Sequence, residues 1–228
     1  MLPFPLFIII YAGFMHAFET DHLLAVSNIV SQRNKIKQAL KDGIFWGLGH
    51  TSTLCVIGLM MIAFRMNIKA YYFHYFEATV GGMLITLGLY RLYKLVTKKI
   101  LLHTHTHTHD GHGTHQHLHV HNSRDSTAHH HAHSLAYGVG LVHGLAGSGA
   151  LVVMVMLKTK EPINGLLYLL IFGGGSVVGM LVAAGLFSIP FSKKIMHAKT
   201  LQSTLVVLSS VLCLLYGSKV IYENMIAQ

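Results

Sequence analysis

The chain has 228 residues, is 52% hydrophobic and only 11% charged, and carries a formal charge of +9. Soluble domains carry about 25% charged residues, whereas the apolar residues here stand in blocks of the length that crosses a bilayer, about 20 residues. That pattern excludes a soluble globular protein. The cations sit between the apolar blocks, so the charge is not a nucleic-acid footprint and no nucleic-acid partner is expected.

Six membrane spans are predicted, over residues 5–30, 42–64, 74–97, 135–157, 163–189 and 201–222. The first lacks a basic leader and a small-residue cleavage site, so it reads as a helix rather than a removable signal. It carries HAFETDH, His16 to His22, in the middle of an otherwise apolar stretch. The second span holds GLGHTSTL (47–54) with His50 and Cys55. The third opens on His74 and Glu77, read as interfacial, and ends on Arg91 and Lys94, which can snorkel. The fourth holds His143, Met154 and Met156; the fifth holds Gly173, Gly174, Gly175 and Met180; the sixth holds Cys213. The glycine run marks either a helix break or close packing. The methionines, Met15 among them, read as apolar filling before soft ligands. Two cysteines in apolar blocks make no disulfide framework.

Between the third and fourth spans the sequence changes character. His103, His105, His107, His109, His112, His115, His117, His119, His121, His129, His130, His131 and His133 crowd one segment with almost no large apolar groups. Such a segment cannot bury a core and is expected to be disordered. The chain therefore divides into a first three-helix unit (1–100), a His-rich loop (101–134) and a second three-helix unit (135–228). The fold class expected is an all-α polytopic membrane protein of six transmembrane helices.

Orientation follows from Lys and Arg. Six spans place twelve of the 17 on one side, including Arg33, Lys35, Lys41, Arg91, Arg124 and Lys193. The positive-inside rule puts that side in the cytoplasm. Both termini then face outward, and the His-rich loop is cytoplasmic, in a protein of the inner or plasma membrane.

The two units resemble each other. GFMHAFETDHLLAV (13–26) lines up with GLVHGLAGSGALVV (140–153), pairing Gly13 with Gly140 and His16 with His143. GHTS (49–52) can be laid on GGGS (173–176), and Tyr90 on Tyr216, more weakly. Apolar helices align easily by chance, but a matched pair of intramembrane histidines is uncommon. An odd number of helices per unit makes this a 3+3 inverted repeat, a transporter plan with its site between the repeats.

An ionisable group at bilayer depth costs on the order of 2.5–3.5 kcal/mol even on the lenient scale. HAFETDH holds four such groups, which calls for a compensating partner. Imidazole and carboxylate suit divalent first-row metals, so the candidate metal ligands are His16, Glu19, Asp21 and His22, joined by His50 and His143. In an unbroken helix His16, Glu19 and His22 share a face and Asp21 points away. Either the helix is distorted there or Asp21 acts as a supporting partner. The plainer alternative is a network of interhelical hydrogen bonds that holds no ion.

The H-x4-D-H pattern, His16 to His22, resembles the signature helix of the nickel/cobalt transporter superfamily, and GLGHTSTL resembles its second motif. The whole chain looks most like the small UreH-like membrane proteins of that group, often linked to urease. The resemblance implies metal selection by His16, Asp21, His22 and His50. It implies Ni2+ or Co2+ as the transported ion, with Zn2+ as a third choice, and cytosolic metallochaperones or urease maturation proteins as partners beside the metal and the lipid bilayer. The His-rich loop is similar to that of related resistance-type exporters, which leaves direction open between uptake and efflux. For the loop itself, buffering of metal, sensing and a spacer role all stand. No enzyme is expected, and no nucleotide-binding G-x-x-x-x-G-K-[ST] loop is present. Two rivals remain. One is a metal-presenting accessory protein. The other is a thiol–disulfide electron carrier of similar repeat architecture, which needs paired cysteines on the first and fourth spans, where there are none.

Overall fold

The computed structural model describes residues 6–33, 35–64, 71–100, 105–107, 115–117, 128–146, 162–191 and 199–227. The described helices are α1 (Leu6–His16), α2 (Thr20–Val30), α3 (Ile36–Phe64), α4 (Tyr71–Ile100), α5 (Ala128–Leu145), α6 (Pro162–Ser188) and α7 (Lys199–Met225). A 3-10 turn, Ile189–Phe191, follows α6. Pro at the first position of α6 needs no hydrogen-bond partner for its nitrogen, which suits a helix start.

Two expectations change. The first span is two helices, because the chain tightens after His16. The amide of Phe18 donates to Met15 and that of Glu19 to His16, at 2.9 and 3.1 Å, three residues back rather than four. Glu19 is then extended, and the helix restarts at Thr20. The fourth helix begins at Ala128, ahead of the expected 135, so His129, His130, His131 and His133 stand on it. Ahead of it, β1 (His105–His107) and β2 (His115–His117) pair antiparallel where no regular structure is expected. Alternating Thr and His in the first strand suits extended backbone, Thr being β-branched. The end of the fourth predicted span, with Met154 and Met156, lies outside the described residues, as do His103, His109, His112, His119 and His121.

Helix α3 is central. It packs against α5 on one side and α6 on another; α1 packs on α6, and α4 on α7. Helix α2 lies among α3, α4, α6 and α7. The larger core cluster includes Val26, Trp46, Leu84, Val139, Met180 and Cys213. A smaller one joins Leu54, Met61, Phe73, Leu169 and Phe172.

The approach of α5 to α3 is set by Gly140 and Gly144, one turn apart. A Cβ at Gly140 would strike the Trp46 carbonyl, and one at Gly144 would lie 2.6 Å from the His50 carbonyl oxygen. Small residues at this spacing let two helix backbones touch. Gly173 and Gly175 serve the same end within an unbroken α6: their Cβ positions would meet Thr51 and the Ile10 carbonyl. Of the two readings of the glycine run, close packing is the one present.

The surface is apolar. Phe7, Leu59, Ile163 and Leu215 are each more than half exposed, while His22, Asn28, Asp42, His50 and His143 are buried. This inverts the pattern of a soluble protein. Three described stretches, Ile36–Phe64, Ile163–Phe191 and Thr200–Met225, are long and apolar enough to cross a membrane, and Leu6–His16 is a shorter apolar helix.

Candidate metal centre

The break after His16 builds the site. His16 ends α1; Asp21 and His22 occupy the first turn of α2, where the helix dipole favours the carboxylate. His50 arrives from the middle of α3, and His143 from the last turn of α5. Because Gly140 and Gly144 hold α5 against the α3 backbone, His143 reaches α2.

The four imidazoles lie together. Ring centroids are 4.6 Å apart for His16 and His22, 5.2 Å for His16 and His50, 5.6 Å for His22 and His50, and 4.5 Å for His22 and His143. His22, His50 and His143 are at most 1% exposed, and His16 is 9% exposed. Two groups of ligand atoms lie within 4.8 Å of one another: His16, His22 and His50, and Asp21, His22 and His143. His22 belongs to both. Its Nδ1 donates to Asp21 Oδ1 at 3.1 Å, and Asp21 Oδ2 lies 3.7 Å from His143 Nε2.

Much of this polar surface has no partner. Among the described residues, His16 Nε2, His22 Nε2 and both ring nitrogens of His50 are buried without a hydrogen bond, as are those of His143, whose Nε2 has only the 3.7 Å approach to Asp21. Leaving a buried polar group unpaired costs about 1–3 kcal/mol. A packing network would pair these nitrogens with one another; here they converge without hydrogen bonds to one another, an arrangement that leaves them free to hold a metal ion.

Glu19 stands outside both triads. Its side chain is 55% exposed and accepts from His16 Nδ1 at 2.8 Å, so it orients His16. Asp21, which an unbroken helix would turn away, is carried in by the helix break.

Two neighbours escaped the sequence. Trp46, the only tryptophan, is fully buried with its ring 5.5 Å from those of His22 and His143. Asp42, 1% exposed, accepts two hydrogen bonds from Arg33 and one from His133 Nδ1 at 2.9 Å. His133 stacks on Phe45. The end of the His-rich stretch is thereby tied to α3. An Asp just inside an apolar span was the available signal for this contact. Arg91 caps the end of α2, donating to the Ser31 carbonyl at 2.8 Å, and Lys94 donates to Gln32 Oε1 at 2.9 Å. His74 meets Asn224 Oδ1 at 3.0 Å. Cys55 and Cys213 are free thiols; Cys213 Sγ lies 2.9 Å from its donor, Asn28 Nδ2.

Two comparisons place the chain among known proteins. The family model described as "Cytochrome C biogenesis protein transmembrane region" matches residues 12–218. The urease accessory protein UreH of Bacillus sp. (strain TB-90) is 34% identical over 180 residues, covering 79% of this chain and 74% of that protein. No solved structure matches. The expected UreH likeness is met; the family model that matches is that of the cytochrome c biogenesis region and not of the nickel/cobalt transporter superfamily. With an apolar exterior and membrane-length helices, the chain is an integral membrane protein; it belongs to the family of the cytochrome c biogenesis transmembrane region and to the relatives of the urease accessory protein UreH.

Proposed function

We propose that the protein carries a divalent transition-metal ion, Ni2+ or Co2+ with Zn2+ as the third choice, across the membrane by alternating access. The observation that carries this reading is the set of buried His16, His22, His50 and His143 with half-buried Asp21, and the ring nitrogens among them that make no hydrogen bond. Imidazole with one carboxylate suits these ions, and a cation there relieves the cost of burying the ligands.

A 3+3 inverted repeat supports the mechanism. Helix α1 packs on α6 as α5 packs on α3, which is the same contact with the halves exchanged. Gly13 meets Phe172 as Gly140 meets Trp46; Gly47 meets Val177 as Gly173 meets Thr51; Gly81 and Gly217 meet each other's carbonyls. The site lies where α1, α2 and α3 of the first half face α5 of the second, as a carrier of this plan requires, and the broken first helix is a recurrent device of such sites. In the proposed topology six spans leave both termini outside and the His-rich loop in the cytoplasm. There the loop collects metal and exchanges it with cytosolic metallochaperones or urease maturation proteins. Multiple weak imidazole sites raise the local ion concentration. The curated relative bears the name of an accessory protein, which agrees with a non-enzymatic role.

The test is the metal content of cells expressing wild type, His22→Phe or no protein. A change in Ni or Co that His22→Phe abolishes supports transport; a rise marks import and a fall marks export. The family match favours one other reading, thiol–disulfide electron transfer. Its paired cysteines are expected on the first and fourth spans, whereas Cys55 and Cys213, the two in the chain, lie on α3 and α7, so a Cys55→Ser/Cys213→Ser protein with full metal transport removes it.

A further inference from the structure

The ligands fall into two sets, not one. His16, His22 and His50 form the first station; Asp21, His22 and His143 form the second. The first is drawn entirely from the N-terminal half, and the second recruits α5 from the C-terminal half. The first is made of imidazoles alone, while the second contains the carboxylate. Glu19 touches only the first, through His16.

His22 faces both. Its Nδ1 lies against Asp21, and its Nε2 is buried and unpartnered beside the rings of His16 and His50. One imidazole thus belongs to both sets, with one nitrogen held by Asp21 and the other without a hydrogen bond. We propose that the cluster is a two-station relay in which a single divalent ion passes between the triads by exchanging one nitrogen of His22 for the other. This rests on the metal-transport reading.

Two ions at once are disfavoured. They would stand one imidazole apart in a dry interior with one carboxylate between them, where Coulomb repulsion is little screened. The ring remains neutral in both states. With metal on Nε2 the proton sits on Nδ1, hydrogen-bonded to Asp21; with metal on Nδ1 it sits on Nε2. The proton number does not change: Nδ1 gives its proton to the Asp21 carboxylate as the ion arrives, Nε2 takes one from a water that enters beside the ion, and Asp21 returns its proton to the hydroxide left behind. Because the second triad includes α5, filling it draws the halves together, and the station occupied is coupled to their relative position.

Trp46 supplies the readout, since it is the sole tryptophan and touches His22 and His143. The full chain, with the histidines from His103 to His121 and His129, His130 and His131 changed to Gln to remove loop binding, is purified in lipid nanodiscs and titrated with Co2+. Bound cobalt is counted by elemental analysis, its ligand field is read from the visible spectrum, and Trp46 emission is followed. The variants are His16→Phe/His50→Phe, Asp21→Asn/His143→Phe and His22→Phe. Phe keeps a ring of similar size, and gel filtration reports folding. The relay predicts a single Co2+ on wild type. It predicts a single Co2+ on each double variant, with different visible spectra and quenched emission, and none on His22→Phe. In vesicles both double variants bind cobalt but do not transport it. Two ions on wild type, or no binding by a monodisperse double variant, overturns the relay and leaves transport through one undivided site standing. A wild type that neither binds nor transports cobalt overturns both.

Discussion

His22 is the residue on which the account turns, since each triad contains it. His22→Phe is expected to abolish metal transport, with loss beyond the ~10–100-fold typical of groups that only support a ligand. Glu19→Gln tests that contrast. Glu19 is exposed and acts through His16, so its loss is expected to weaken metal affinity by about 10-fold. Both are read by cobalt titration followed through Trp46. Acidity works in a defined direction: a ligand nitrogen must be unprotonated to bind metal, so protons compete with the ion. Lowering the pH is therefore expected to weaken cobalt binding, and binding that strengthens as the pH falls would mean that the histidines are not the ligands. At this scale the histidines were legible in HAFETDH, GLGHTSTL and GLVHG, because an ionisable group in an apolar block is conspicuous. The place of Asp21 was not. Helical periodicity turns it away from His16, and only the break at Ala17–Glu19 brings it in. Trp46 was silent because an aromatic residue in an apolar helix carries no mark of what it touches.

Helix packing sets the next scale. Gly140 holds α5 on α3, and a methyl group there meets the Trp46 carbonyl. Gly140→Ala is expected to destabilise by about 1–3 kcal/mol, the usual range for overpacking, and to displace His143. Gly174→Ala is the control. Gly174 is exposed with open space around its Cβ position, and replacing a helical Gly by Ala gains up to about 1 kcal/mol. Thermal melts in detergent distinguish the two; equal effects would mean that the α3–α5 contact does not position the site. Helix boundaries followed from hydropathy to within about three residues for α4, α6 and α7, while α3 starts at Ile36, ahead of the expected 42. Hydropathy missed the start of α5, because Ala128–Ser134 is polar and histidine-rich. What holds that turn is a contact remote in sequence, His133 on buried Asp42. The expected pairing of Gly49 with Gly173 also fails in detail. The contacts exchange Gly47 with Gly173 and Gly49 with Gly175, and Gly81 with Gly217 where Tyr90 had been laid on Tyr216. Apolar stretches align at several offsets, and only backbone contact selects one.

For the whole molecule, an apolar exterior around a histidine interior is the property to explain. A packing network leaves its polar atoms paired; this interior leaves imidazole nitrogens unpaired on His16, His22, His50 and His143. An ion that binds the folded protein stabilises it in proportion to its occupancy, by about 2.7 kcal/mol at a concentration 100 times Kd. Co2+ is therefore expected to raise the melting temperature of wild type and leave that of His22→Phe unchanged. The His-rich segment acts upstream of the site in the proposed function. Changing His103 to His121 to Gln is expected to reduce transport when metal is scarce and to spare it when metal is abundant; total loss under both conditions would favour an accessory protein that only presents metal. The membrane class was legible from composition alone, since 11% charged residues cannot clothe a soluble surface. Metal identity was not, because it depends on ligand spacing that the chain acquires only on folding.

Movement of a transition-metal ion by the buried cluster is read from elemental analysis of cells. Nickel, cobalt, zinc and manganese are measured in cells expressing wild type, His22→Phe at matched membrane abundance, or neither, in metal-supplemented medium. The account predicts that wild type shifts cellular nickel or cobalt and that His22→Phe matches cells without the protein. Equal metal contents in all three, or a shift that persists in His22→Phe, would contradict it.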